Sequence, residues 1–205
     1  MTLSPRTKFV LMFIFFATPF VVSYLAFFFW KPTTTGNHGQ LITPVVAMPA
    51  DKLSVVDGKD APTSAGEKAL RGKWLIVTRD GGTCAEACEK KLYAMRQTRL
   101  ILGREMTRVA RVVLVDDAAR PSETMQKNYA GTAWVAAQNS PWLAKLPREA
   151  GDTTEGRGYF YAIDPMGNLF MRYKADIDIK LMSADFRRVL KASQLGKEFE
   201  GSDPK

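Results

Sequence analysis

The chain is 205 residues long and carries 29 Lys and Arg against 21 Asp and Glu, a net charge of +8, with one histidine and two cysteines. Two cysteines are too few for a disulfide scaffold, so the core must be hydrophobic; with one histidine they do not support a four-ligand zinc site either. Setting aside Arg6, Lys8 and Lys31 leaves 26 basic against 21 acidic residues, scattered without interleaved aromatics or a recognised motif, so no nucleic-acid partner is expected.

The first element is the uncharged run from Phe9 to Trp30. Its 22 residues suffice to cross a hydrocarbon core of ~30 Å as a helix. Pro19 is tolerated inside such a helix, and Trp30 suits the interface. Arg6, Lys8 and the amino terminus precede the run, and only Lys31 follows closely. That bias puts residues 1–8 in the cytoplasm as a stub, makes 9–30 a transmembrane anchor, and puts the rest outside. A cleaved signal peptide is the competing reading, but the run is long and no small-x-small site follows it. The expected location is the inner membrane, single-pass, with the folded part in the periplasm.

Residues 31–50, rich in Thr, Gly and Pro, read as a linker holding His38. Residues 51–196 are long enough for one domain with its own core, and 197–205 form a polar tail. Leu53 to Lys59 alternates and closes on Asp57 and Gly58, a candidate first hairpin. Trp74 to Thr78 is a buried strand. Residues 85–102 have helical spacing, with Cys88, Leu92, Met95 and Leu102 on one face and Gly103 to end it. Within Lys90 to Arg111 the basic residues read as a solvated helix face, with acidic lipid as the alternative.

Val109 to Val115 is a second buried strand ending on Asp116 and Asp117. Ser122 caps a helix over 121–129 with Met125 and Tyr129 inward. Trp134 to Ala137 is ambiguous, and Pro141 to Leu146 is a short helix. Gly158 to Asp164 and Leu169 to Tyr173 flank a turn at Pro165 to Asn168 and make a hairpin. Ile179 to Leu195 is an amphipathic helix with Leu181, Phe186, Val189 and Leu190 inward, stopped by Gly196. A parallel pair joined by a helix and extended by an antiparallel hairpin is an α/β layered sheet. The expected fold is a thioredoxin-like mixed sheet flanked by helices, behind one transmembrane helix.

Both cysteines, Cys84 and Cys88, fall at the joint between the first buried strand and the helix after it. Residues i and i+4 of a helix have Cα atoms about 6 Å apart, within disulfide range. A helix N-terminus favours thiolate, which is both the nucleophile and the soft metal ligand. The pair is therefore the candidate catalytic redox pair and the candidate metal site. Two thiolates alone suit Cu(I). Both uses require the sulfurs to sit close together and near water. A third ligand is not evident. His38 is a solvated linker residue unless the chain folds back, Met166 lies in an exposed turn, and Met95 and Met171 fill the core. Glu86 and Glu89 complement the helix dipole. No Ser-His-Asp set or phosphate-cradling loop is present, and Arg157 and Gly158 stand where a thioredoxin-type oxidoreductase carries its cis-proline.

Leu70 to Val77, followed by Cys84 and Cys88, resembles the Sco/SenC family of membrane-anchored, thioredoxin-fold proteins. Val112 to Asp117 resembles that family's second core strand, and Tyr161 to Asn168 its penultimate hairpin. The resemblance covers roughly residues 50 to 195. It implies a factor in assembling the copper centre of cytochrome c oxidase, with Cu(I) as cargo on Cys84 and Cys88 and an oxidase subunit or another periplasmic redox protein as partner. Two positions depart from the pattern. Glu89 replaces the proline after the second cysteine, and the stretch Thr154 to Gly158 lacks the family's histidine ligand. Three functions stay open: a Sco-like assembly factor that delivers Cu(I) or keeps target thiols reduced, a thiol–disulfide oxidoreductase, and a binding domain with a structural disulfide.

Overall fold

The computed structural model describes residues 4–29, 36–49, 54–55, 72–195 and 197. Two compact units divide between Gly36 and Asn37. In the first, α1 (Pro5–Phe29) is a 25-residue helix, long and apolar enough to cross a bilayer, with Pro19 inside it. Trp30 and most of the tail lie outside the described residues.

The second unit is built on one seven-stranded mixed sheet in the order β1-β7-β6-β3-β4-β5-β2. Its strands are β1 (Gln40–Ala47), β2 (Ser54–Val55), β3 (Trp74–Asp80), β4 (Val109–Val115), β5 (Thr132–Ala136), β6 (Tyr159–Ile163) and β7 (Asn168–Lys174). β3, β4 and β5 are parallel neighbours, Trp74 opposite Val109 and Arg111 opposite Thr132. β6 and β7 continue the sheet antiparallel on the other side of β3. The helices are α2 (Glu86–Ile101), α3 (Glu123–Asn128), α4 (Pro141–Lys145) and α5 (Ile179–Ala192), with a 3₁₀ segment at Gly103–Arg108. The fold is thus α/β and thioredoxin-like, as the strand–helix order implied.

Central strands that read as continuous apolar runs are buried on both faces, because helices cover both sides of a parallel core. The period of two divides β3. Leu75 and Val77 point toward the face covered by Trp142 and Leu146 of the α4 region. Trp74 and Ile76 point toward the face where Met95 of α2 and Phe186 and Leu190 of α5 pack. Met95 and Met171 are core residues, as expected.

Four expectations change. Residues 40–47, assigned to the linker by composition, form β1, an edge strand antiparallel to β7 whose register breaks between Leu41 and Val46, around Pro44. The Leu53 to Lys59 hairpin falls mostly outside the described residues; Ser54 and Val55 pair instead with Ala136 and Val135 of β5. Trp134 to Ala137 resolves as the end of β5 and the residue after it. Leu181 is exposed. Asp178 caps α5 by accepting from the Lys180 amide, which starts the helix so that Met182, Asp185, Phe186 and Leu190 face inward.

Nor is the basic run from Lys90 to Arg111 one solvated face. Arg108 is fully buried and donates to the carbonyls of Leu190, Ser193 and Leu195 at 3.0, 2.9 and 2.6 Å, fastening the end of α5. Glu105 pairs with it. Removing such a group takes a donor from three carbonyls, of which that of Leu195 keeps the Trp74 indole N–H at 3.3 Å, and opens a cavity. Arg108→Ala is therefore expected to lower the unfolding free energy by about 3–5 kcal/mol. Urea unfolding checks this, and a change below about 1 kcal/mol, within the range of ordinary surface substitutions, contradicts it.

Candidate functional site

β3 ends at Asp80, and the chain turns through Gly81, Gly82 and Thr83 before α2 begins at Glu86. The turn closes with the Cys84 amide donating to the Gly81 carbonyl at 3.1 Å. It also lies hard against the loop after β4. The Gly82 amide donates to Asp117 Oδ1 at 2.9 Å, and the same oxygen accepts from the Ala119 amide at 3.0 Å. A β-carbon on Gly82 would meet the Ala119 carbonyl oxygen at 2.1 Å, so only glycine allows the two backbones this close. Cys84 follows in the left-handed region, φ 45°, which a non-glycine residue keeps only where its surroundings fix it.

Cys84 and Cys88 form a disulfide with Cα atoms 5.1 Å apart. The spacing is shorter than the helical value because Cys84 stands two residues before α2 rather than on it. No side chain caps the helix at Ala85; Glu86 and Glu89 supply the negative charge its first turn favours. The sulfurs meet as expected, but they are not both near water: Cys84 is 7% exposed and Cys88 1%. The reason is packing. Both cysteines belong to a cluster with Leu92, Val113, Val115, Tyr129 and Trp134, partly closed by Met125. The Tyr129 hydroxyl reaches Glu89 Oε1 at 3.3 Å, holding α3 against the start of α2. Among the described residues, the buried Trp134 indole N–H has no hydrogen-bond partner.

Beside the disulfide, the carboxyl ends of β3 and β4 carry a bonded charge network that inspection of the motif missed. Lys91, three residues after Cys88 and nearly sealed, pairs with Asp80 at 2.7 Å and donates to the carbonyls of Arg79 and Arg157 at 2.8 and 2.6 Å. Burial lowers its pKa, against the pull of Asp80. Asp116, with its side chain 2% exposed, accepts from Arg79 Nε at 2.6 Å and from Arg157 Nη2 at 2.7 Å. Burial pushes its carboxyl up, but the Arg157 and Arg79 guanidiniums outweigh that and hold it below the ordinary carboxylate value. The sequence signal was the pair Asp116–Asp117 at a strand end together with an isolated Arg157; spacing alone does not join them.

The other candidate ligands lie elsewhere. His38 lines a cleft of about 420 Å³ with Glu149, Tyr159 and Arg172 at the β1–β7 edge. Three strand spacings, about 14 Å, separate β1 from β3. Met166 is exposed in the β6–β7 turn, where the Pro165 carbonyl accepts from Gly72, just before β3. That is the far end of a seven-residue strand from Cys84, about 20 Å. At Thr154 to Gly158, Asp152 accepts from the Thr154 and Gly156 amides, and Thr154 Oγ1 accepts from the Gly158 amide. Glu155 there is engaged by Arg79. Among the described residues no group of three or more His, Cys, Asp or Glu side chains converges to hold a metal ion.

The chain belongs to the family described as transmembrane-like, thioredoxin-like, C-terminal domain, whose model matches residues 74–193. No curated protein sequence matches it. Among solved structures it is similar to BsSco, described as a member of the Sco family of cytochrome c oxidase assembly proteins with a disulfide switch. The identity is 14%, the match covers 75% of this chain and 97% of that one, and the TM-score is 0.51. It is also similar to apo Sco1 from Thermus thermophilus, at 14% identity over 79% and 99% of the two chains with TM-score 0.49. Copper-bound ScoI from Bradyrhizobium japonicum matches at 18% identity over 59% and 87%, with TM-score 0.43. At these identities the likeness to BsSco is one of fold.

Two predictions follow from the packing and the charge network. Because a disulfide quenches an excited indole by accepting an electron, reducing Cys84–Cys88 is expected to raise the intrinsic fluorescence, and Trp134→Phe to abolish the rise; an equal rise in the variant contradicts the clustering. Asp116 has a lowered folded-state pKa, so its stabilisation is present above its unfolded value, near pH 4, and is lost as pH falls through the lower folded value. Asp116→Asn should therefore be less stable at pH 7 and lose less stability on acidification below pH ~4 than the wild type. Urea midpoints across that range test it, and parallel curves for the two proteins would falsify it.

Proposed function

We propose that this member of the transmembrane-like, thioredoxin-like family is a membrane-anchored, Sco-like thiol–disulfide protein whose Cys84–Cys88 pair exchanges electrons with the thiols of a partner. One observation carries the reading: the disulfide sits at the strand–helix joint, with Cys84 less deeply buried, at 7% exposed, than Cys88, at 1%. In the reduced state, the Cys84 thiolate attacks a partner disulfide and expels one partner sulfur as thiolate. The Cys88 thiolate then attacks the Cys84 sulfur, releases the second partner sulfur and closes Cys84–Cys88. The partner gains two electrons and this chain loses two; an external thiol reductant, itself oxidised to a disulfide, returns Cys84–Cys88 to the dithiol. Asymmetric burial assigns attack to Cys84 and resolution to Cys88, since access limits exchange.

α1 serves as the anchor, with residues 1–8 cytoplasmic and the folded unit in the periplasm, by the charge bias of Arg6 and Lys8. The likeness to Sco proteins suggests the partner: a cytochrome oxidase subunit whose copper-binding thiols need to be kept reduced. Delivery of Cu(I) as cargo has less support here. Two thiolates are soft ligands of the right kind, but no third donor converges on them among the described residues.

The test is a trapping experiment with the full chain in detergent micelles. Cys88→Ser should accumulate a mixed disulfide with an oxidised dithiol peptide through Cys84, and Cys84→Ser should accumulate none. Cu(I) titration of the reduced wild type against the double serine variant is expected to show no tight additional uptake. Stoichiometric uptake would move the function to copper delivery. Failure of Cys88→Ser to trap any thiol would leave the bridge purely structural.

A further inference from the structure

The outer face of α5 carries Lys180, Arg187, Arg188 and Lys191, all exposed. The only acidic residue in the helix, Asp185, is fully buried. The patch continues onto the end of α2. Arg187 Nη2 donates to the Ile101 carbonyl at 2.6 Å, Leu100 beside it is 48% exposed, and Arg104 is exposed. Leu181 and Leu195 add exposed apolar surface along α5. Among the described residues, the exposed carboxylates Asp176 and Asp178 lie before the first turn, at the other end of the helix from Lys191. The apolar side of α5 is spent on the core through Met182, Phe186 and Leu190. What remains exposed is a basic face dotted with leucines.

A second observation, independent of charge, says what this face meets. The chain coming from α1 enters the folded unit on α5 itself. The His38 and Gly39 amides donate to Asp185 Oδ2 at 2.8 and 2.9 Å, and Arg188 Nη1 donates to Asn37 Oδ1 at 3.2 Å. Seven residues lie between Phe29, the last of the apolar helix, and Asn37. Fully extended, that connection spans no more than about 29 Å. The basic face therefore includes the point where the tether from α1 joins the folded unit.

We propose that the exposed face of α5, with Leu100 and Arg104, docks on the anionic phospholipid headgroups of the bilayer that holds the chain's own α1. Basic residues beside an anionic leaflet each gain attraction that decays over the Debye length, about 8 Å at physiological salt, so a short tether makes the contact intramolecular in effect. Docking by this face leaves the disulfide at the other end of α2, with Cys88 about 18 Å along the helix axis from Leu100. The inference rests on α1 being membrane-inserted and is independent of the redox chemistry.

The test reconstitutes the full chain into vesicles of phosphatidylcholine alone or mixed with phosphatidylglycerol, and measures acylation of individual lysines by a membrane-impermeant amine reagent. Rates are normalised to Lys145, exposed in α4 on the other side of the sheet. With phosphatidylglycerol present, Lys180 and Lys191 are expected to react several-fold more slowly, to recover at high salt, and to lose this protection in Arg187→Glu but not in Arg187→Lys. Soluble glycerol phosphate added to phosphatidylcholine vesicles is expected to protect neither lysine. Equal rates in the two vesicle types, or equal protection by soluble phosphate, overturn the docking. Flotation of the same samples separates the premises: a chain that does not float with the vesicles overturns the anchor and the docking together, and one that floats with unprotected lysines overturns the docking alone.

Discussion

The close approach of Gly82 to the loop after β4 is the constraint on which the site depends. With no side chain at Gly82 and with Asp117 accepting from two amides, the turn after β3 is pressed onto Ala119. That leaves Cys84 in a left-handed backbone two residues ahead of α2, aimed at Cys88 on its first turn. Everything that distinguishes the pair follows: a span shorter than the helical one, burial in the cluster around Trp134, and a burial slightly less complete at Cys84 than at Cys88. A substitution at Gly82 would move the cysteine loop without touching a cysteine.

Around this joint the polar groups act as a frame. Lys91 ties the start of α2 to β3 and to the segment before β6, and Asp116 gathers Arg79 and Arg157 at the ends of β3 and β4. Buried charges persist only when paired and bonded, and each of these is. A fold shared with proteins described in connection with copper and oxidase assembly does not by itself carry their function; a functional reading rests on this chain's own donors.

The buried strands, α2 and the β6–β7 hairpin were legible because their apolar spacing repeats within a few residues and their turns are marked by Gly, Pro or Asp. β1 was not, since an edge strand exposing most of its side chains, with Pro44 inside it, has the composition of a linker. Leu181 was misplaced because it was read by residue type: at about 100° per residue it lies roughly 140° around α5 from Phe186, whereas Met182 lies about 40° from it. The closeness of the two sulfurs could be read from spacing. Their burial could not, because it comes from Val113, Val115, Tyr129 and Trp134, which only the sheet brings together. The exclusion of His38 and Met166 likewise needed strand order and direction rather than residue type.

The central claim is that a nearly sealed disulfide is a working redox couple rather than a permanent staple. Its equilibrium reduction potential tests this most directly, measured on the full chain against glutathione buffers with alkylation of freed thiols read by mass. The account predicts a midpoint in the range of exchange catalysts, about −180 to −270 mV. A midpoint below about −300 mV, where structural bridges of secreted proteins lie, contradicts it.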